Sequence, residues 1–471
     1  MKKFKLIFAT LVAALFTFAG GKALAYDITI NNGGSGTYES YQIFTGDLST
    51  DETTLSNIKW GNGITDAGKT ALQTKYSASS AAEIAKKLGD NAVDADEFAK
   101  EAGKYLQNAG GLTGLAAGYY LVQNKTVGDH EAYTNYILKV VKNVTVEPKT
   151  DTPTVEKKVK DTNDSESTTT NGWQDSADYD INDDVPFQLT ATLPNNFATY
   201  DEYYLEFADT LSSGLTYNKD AKVYLVNGGV ETDVTSSFTI AEDGSSFKIN
   251  NLKSISGVTA SSKIVVRYTA KLNSNAAIGS AGNPNTVKLI YSNNPNAAGH
   301  GETPEDTVVV FTYKVVVNKV DQDNKPLANA GFTLYKKDSA NNWNVVKAIS
   351  ASEATSFTFS GIDDGDYKLS ETDTPNGYNT IDDILFTVSA EHDENSNEPK
   401  LTSLSGVDST GKITFTSNTS EGSLTAPVPN TKGSILPSTG GMGTKVLYAV
   451  GVVLILIAGV LIVTKKRMEV K

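Results

Sequence analysis

Val185-Pro186-Phe187-Gln188-Leu189-Thr190-Ala191-Thr192-Leu193 alternates apolar and polar side chains without a break. Successive side chains of an extended chain point to opposite faces, so this is the period of a half-buried strand. Ile264, Val266, Tyr268, Ala270 and Leu272 repeat it. Asn, Gly, Ser and Asp fill the intervals at the spacing a two-sheet sandwich needs. After a polar, Pro-containing linker over 147–156, residues 157–313 are therefore expected to be all-β, giving a middle domain over 149–313. A second all-β unit is expected over 314–430, with strands that include 315–317, 332–335, 357–359, 367–369 and 384–388.

Upstream, residues 26–148 mix two periods. Ile28 and Ile30 alternate as a strand, and Tyr41-Gln42-Ile43-Phe44 suggests another. Between 66 and 108, Ala81, Ile84, Ala85 and Leu88 keep helical spacing. Asp94 is placed to cap a second helix, with Glu97 three residues on, Phe98, Ala102, Tyr105 and Leu106 along one face, and Gly110-Gly111 as its stop. Strands are expected again at 119–122 and 136–146. The first domain is thus expected to be α+β with a helical insertion.

The chain has 471 residues, a formal net charge of −14 and no cysteine. Its length allows two to four domains. The acidic balance argues against nucleic acid as a partner, because phosphate binding needs clustered Lys and Arg. Disulfides, thiolate metal sites and a Cys nucleophile are excluded. His130, His300 and His392 are isolated in sequence and read as surface residues, so no metal and no cofactor is expected. Asp363-Asp364-Gly365-Asp366 and Asp382-Asp383 read as acidic turns without the spacing of a Ca²⁺ loop. No phosphate loop or hydrolase motif occurs, and the chain is not expected to be an enzyme.

Both ends carry addresses. Residues 1–25 read as a signal peptide: Lys2, Lys3 and Lys5, then an apolar run from Leu6 to Phe18, then Ala23-Leu24-Ala25. At the other end, residues 431–471 hold Leu436-Pro437-Ser438-Thr439-Gly440, an apolar stretch over 446–463 long enough to span a bilayer, and Lys465-Lys466-Arg467. The pentapeptide resembles the LPxTG sorting signal of sortase substrates, which implies cleavage between Thr439 and Gly440.

Together these features resemble the backbone pilins of Gram-positive sortase-assembled pili, along the whole chain. Val144-Thr145-Val146-Glu147-Pro148-Lys149 resembles the pilin motif, with Glu147 where that motif has tyrosine. By this resemblance a pilin sortase joins Lys149 to Thr439 of the next subunit, with Lys142 and Lys139 as the alternatives. Lys157, Asp209 and Asn285 resemble the cross-linking set of a pilin middle domain, in which a first-strand lysine bonds a last-strand asparagine. Lys319, Glu371 and Asn430 resemble that of a pilin C-terminal domain; Glu371 sits in Tyr367-Lys368-Leu369-Ser370-Glu371-Thr372, similar to the E-box.

The resemblance implies tandem Ig-like β-sandwiches of the CnaA/CnaB kind and intramolecular Lys–Asn isopeptide bonds promoted by Asp209 and Glu371. Physical chemistry permits such a reaction. Burial disfavours an ammonium and leaves a nucleophilic amine, while a neutral buried acid can polarise an amide carbonyl and relay protons. The first domain's opening strand carries no lysine, and no bond is expected there. Implied partners are a pilin-specific and a housekeeping sortase, further copies of the chain, minor pilins, peptidoglycan and an unidentified host surface ligand. The implied location is the cell wall, as a surface pilus. A monomeric wall-anchored adhesin or a minor pilin is the alternative, since either can keep the E-box and the sorting signal.

Overall fold

The computed structural model describes residues 25–31, 36–147, 151–166, 172–295, 297–433 and 442–468. The molecule is mainly β, with an α+β domain followed by two β-sandwiches. Most of the signal peptide, Lys149 and the Leu436–Gly440 pentapeptide lie outside the described residues.

In the first domain, strands Tyr38–Leu48, Leu55–Trp60, Gly118–Asn124 and Asn135–Val140 form one sheet. Helices Asp66–Lys75, Ala81–Gly89 and Ala95–Gly103 cover it. Each helix starts on a side-chain cap. Thr65 accepts from the Gly68 N–H, Ser80 from Glu83, and Asp94 from Asp96 and Glu97, satisfying donors that a first turn leaves unpaired. Leu72, Ile84, Leu88, Phe98 and Ala102 turn inward onto Ile43, Phe44 and Leu121. The last helix ends at Gly103, well short of Gly110-Gly111. Tyr105 and Leu106 leave it because the Tyr105 carbonyl accepts from Thr65 and Leu106 bridges Ile64. Ile28–Ile30 pairs in parallel with Val144–Val146, closing the domain at its two ends.

The middle domain packs two sheets face to face. One runs Thr239–Ile240, Ser246–Ile249, Leu205–Leu211, Asn283–Ser292, Asp306–Phe311, Ser176–Asp178; the other runs Val230–Asp233, Lys222–Asn227, Lys263–Leu272, Asp184–Thr192, Val155–Val159. Val185, Phe187, Leu189 and Ala191 are fully buried and alternate with partly exposed residues. The C-terminal sandwich sets Ser356–Ile362, Tyr313–Asp321, Ser423–Asn430, Thr416–Asn418 against Trp343–Ile349, Gly331–Lys337, Gly365–Asp373, Ile384–His392, Leu401–Asp408. Beyond it, Met442–Met468 is helical, and its segment Val446–Lys466 is long and apolar enough to cross a membrane.

The two sandwiches meet closely. The Ile181 N–H donates to the Gly361 carbonyl at 3.0 Å. Gly361 has φ +80°, and a Cβ there would lie 2.3 Å from the Ile181 side chain, so only glycine permits this approach. Beside it, buried Lys336 donates to Asp180 of the middle domain at 2.8 Å and Asp164 at 3.4 Å, and pairs with buried Asp363.

Candidate functional site

Strand alternation decides which polar side chains enter the middle sandwich. Along Val155–Val159 it turns Lys157 and Val159 inward and Lys158 outward, where Lys158 pairs with Asp175 at 2.6 Å. Along Leu205–Leu211 it buries Leu205, Phe207 and Asp209, and leaves Glu206 on the other face bonded to Tyr204 and Ser246. Along Asn283–Ser292 it buries Asn285 and Val287. Lys157, Asp209 and Asn285 are thereby brought together, all three buried.

Lys157 Nζ pairs with Asp209 Oδ1 and donates to Asn285 Oδ1 at 2.5 Å. A fourth group, which strand periodicity alone reads as one more core aromatic, completes the set. The Tyr268 hydroxyl accepts from Asn285 Nδ2 at 2.7 Å and donates to Asp209 Oδ2 at 2.5 Å. Its ring is held between Phe187 and Phe247, with centroids 5.4 and 5.6 Å away. The four side chains form a closed ring in which both ends of the Asn285 amide are engaged, the carbonyl by the lysine and the nitrogen by the tyrosine. Burial pulls the Lys157 ammonium down to about 8, against the opposing attraction of Asp209 and, more weakly, Asp306. Burial, reinforced by Asp209, pushes the Tyr268 hydroxyl well above its ordinary range, so it stays protonated and can donate.

One expectation for this domain changes. Asn285 does not lie on the last strand: Asp306–Phe311 follows and pairs with Asn283–Ser292 along Asn285↔Val308. This final strand also steadies the lysine, as Asp306 accepts from the Lys157 backbone N–H at 2.6 Å.

In the C-terminal domain, Tyr313–Asp321 and Ser423–Asn430 are parallel neighbours, with Lys319 opposite Val428 and Asp321 opposite Asn430. Pro427 and Pro429 point outward, and Val428 and Asn430 inward. Thr416–Asn418 pairs only with Ser423, Leu424 and Thr425, so the far side of the proline segment is an edge that tolerates residues without an N–H. Asn430 Nδ2 donates to both oxygens of Glu371, at 3.0 and 3.1 Å. Glu371 is fixed further by the Ile381 N–H at 3.1 Å and by Thr374 at 3.3 Å. Lys319 is fully buried, but its Nζ rests on the carbonyls of Val428 at 2.8 Å and Val320 at 3.0 Å and not on Asn430. The Asn430 carbonyl oxygen is buried with no partner. Burial pulls the Lys319 ammonium down to about 8, with Glu371 and Asp321 opposing.

Of the alternatives to Lys149, Lys142 is exposed beside Val144–Val146, and Lys139 donates to the Thr53 carbonyl at 3.1 Å. His130 bonds the Glu302 carbonyl and His300 stacks on Tyr204, both exposed. His392 departs from the surface reading: its side chain is only 7% exposed, against Phe311.

Residues 181–295 match the model of the Gram-positive pilin backbone subunit 2 Cna-B-like domain, and residues 313–402 match the SpaA prealbumin-like fold domain. Residues 181–295 form a domain of the Gram-positive pilin backbone kind. The first pilin-domain match takes in Asp209, Tyr268 and Asn285, and the second takes in Lys319 and Glu371. The trypsin-resistant surface T6 protein of Streptococcus pyogenes is 26% identical over 334 residues, 57% of this chain and 61% of that protein's length. The solved T6 backbone pilin of serotype M6 S. pyogenes, described as a modular three-domain structure, superposes with a TM-score of 0.56 at 17% identity, covering 89% of this chain and 100% of that one. The full-length major pilin SpaD of Corynebacterium diphtheriae gives a TM-score of 0.47 at 17% identity, over 87% and 97% of the two chains.

Proposed function

We propose that this chain is the shaft subunit of a covalent cell-surface pilus, joined by a sortase between Lys149 and Thr439 of the next copy and closed internally by Lys157–Asn285 and Lys319–Asn430 amide bonds. The buried ring of Lys157, Asp209, Tyr268 and Asn285 carries this reading. A buried lysine set against a side-chain amide has no ordinary structural use, because burying an ammonium is costly and a plain apolar pair would serve stability as well.

The reaction follows from the ring. Lys157 gives a proton to Asp209 and becomes a neutral amine. Its Nζ attacks the Asn285 carboxamide carbon, forming the new C–N bond. The original C–N bond breaks as the leaving nitrogen takes up the Asp209 proton relayed through Tyr268, the attacking nitrogen gives its surplus proton to the Asp209 carboxylate so freed, and ammonia departs. The C-terminal set follows the same balance, with Glu371 already on the Asn430 nitrogen and Lys319 turning from the backbone carbonyls to the amide. Closing the 128-residue separation of Lys157 and Asn285 restricts the unfolded chain. By analogy with a disulfide this is worth about 4–5 kcal/mol. Under tension, load passes through the amide bond and does not peel strands apart.

Polymerisation is tested by immunoblot of wall extracts boiled in detergent, comparing wild type with Lys149→Ala. A high-mass ladder that collapses to monomer in the variant supports the assigned joint. A ladder that persists moves the joint to Lys142 or Lys139. A single band in both favours a monomeric adhesin.

A further inference from the structure

Among the described residues, two clusters of carboxylates lie at the junction of the sandwiches, and one of them holds a buried lysine. Lys336 occupies the group made by Asp164, Asp180 and Asp363. The other is Asp161, Asp178 and His392, whose ligand atoms all lie within 4.8 Å of one another. His392 Nε2 is 3.9 Å from both Asp161 Oδ2 and Asp178 Oδ1.

The orientation of His392 is fixed from behind. The Ser176 hydroxyl spends its one proton on the Asp393 carbonyl at 2.7 Å, so its oxygen accepts from His392 Nδ1 at 2.8 Å. Nδ1 therefore carries the hydrogen, and Nε2 presents a lone pair to two carboxylates. A hydrogen bond to the rear nitrogen is what orients metal-binding imidazoles. Asp178 is 3% exposed; its Oδ2 and the Tyr313 hydroxyl that bears on it are both buried without a hydrogen bond of ordinary length. Asp161 is braced by the Thr162 N–H at 3.0 Å. Asp364 and Glu394 add negative charge nearby; the Tyr313 hydroxyl is neutral, and Lys336, whose charge reaches Asp178, is bonded to Asp180. Burial and these neighbours push both Asp161 and Asp178 upward, while burial pulls His392 downward against the opposing pull of Glu394 and Asp393.

We infer that Asp161, Asp178 and His392 bind a divalent transition cation of the Zn²⁺ or Mn²⁺ kind, which clamps the middle domain to the C-terminal domain. Two carboxylates suit many divalent ions, but the imidazole nitrogen favours these over Ca²⁺ and Mg²⁺. Asp161 and Asp178 come from the middle sandwich and His392 ends a strand of the next, so in this cysteine-free chain one ion would tie a joint that a disulfide ties in cysteine-bearing secreted proteins.

The test uses the full chain, purified in detergent and stripped with a chelator, then dialysed separately against Zn²⁺, Mn²⁺ and Ca²⁺. One retained equivalent of Zn²⁺ or Mn²⁺ is expected, with affinity falling at least 10-fold in His392→Gln and in Asp178→Asn. Ser176→Ala, which keeps all three ligands, should weaken binding about 10–100-fold by freeing the ring. No retained metal in the wild-type chain overturns the inference whatever the variants do. Preference for Ca²⁺, or retention undiminished in His392→Gln, overturns it equally.

Discussion

The side-chain nitrogen of Asn285 donates to the Tyr268 hydroxyl at 2.7 Å, and that hydroxyl donates onward to Asp209 at 2.5 Å. Tyr268 thus stands between the acid and the nitrogen that must leave. Tyr268→Phe keeps the ring between Phe187 and Phe247 and removes only the relay. Losing one buried hydrogen-bonding group costs about 1–3 kcal/mol. Bond formation in the middle domain should therefore slow roughly 10–100-fold, while the C-terminal bond forms normally. A refolding time course read by peptide mass checks this, and an unchanged rate removes Tyr268 from the relay.

The second expected outcome concerns pH. An amine with pKa about 8 is neutral about a tenth of the time at pH 7, against less than about a thousandth at its ordinary value. For Lys157 and Lys319, both bonds should form faster as pH rises toward 8 and level off above it. The stability of an unreacted chain should move the same way. In Asn285→Ala the lysine stays free, and its folded pKa lies below its unfolded one. Between about 8 and 10.5 the unfolded chain then binds more protons, so stability rises with pH across that window. Denaturant titrations at pH 7, 8, 9 and 10 measure it; a flat profile contradicts a depressed lysine.

Lys336 supplies a third. It holds Asp180, Asp164 and Asp363 together across the domain junction. Lys336→Met leaves buried Asp363 and half-buried Asp180 without a counter-charge, a loss of about 3–5 kcal/mol. Burial and the neighbouring Asp180 already push Asp363 well upward. With its folded pKa above the unfolded one, stability increases as pH falls through the folded value, so the variant should recover partly on acidification. Thermal unfolding at pH 7 and pH 5 gives the comparison. Equal losses at both pH values would mean that Lys336 acts by packing alone.

Much of this architecture is legible in the amino-acid order because a strand writes its burial into every second residue. The alternation around Phe187 and Tyr268 marks the middle sandwich, and the same period places Lys157, Asp209 and Asn285 on inner faces. Tyr268 itself is invisible as a functional residue, since an aromatic at an inward position reads the same whether or not its hydroxyl is used. The final strand Asp306–Phe311, which displaces Asn285 from the end of the domain, depends on pairing that no local pattern specifies. The helix that stops at Gly103 does so because Thr65 and Ile64 compete for the next backbone groups. His392 looks isolated because its companions, Asp161 and Asp178, lie in another domain, and only folding brings them within reach.

The most direct test of the covalent account is the intact mass of residues 26–439, produced as wild type and as Asp209→Ala, Glu371→Ala and the double variant. Wild type should be lighter than its sequence by two molecules of ammonia, each single variant by one, and the double variant by none. Loss of either bond should also lower stability by about 4–5 kcal/mol. A wild-type mass equal to that of the sequence would contradict both internal bonds, and an unchanged deficit in the double variant would contradict the roles given to Asp209 and Glu371.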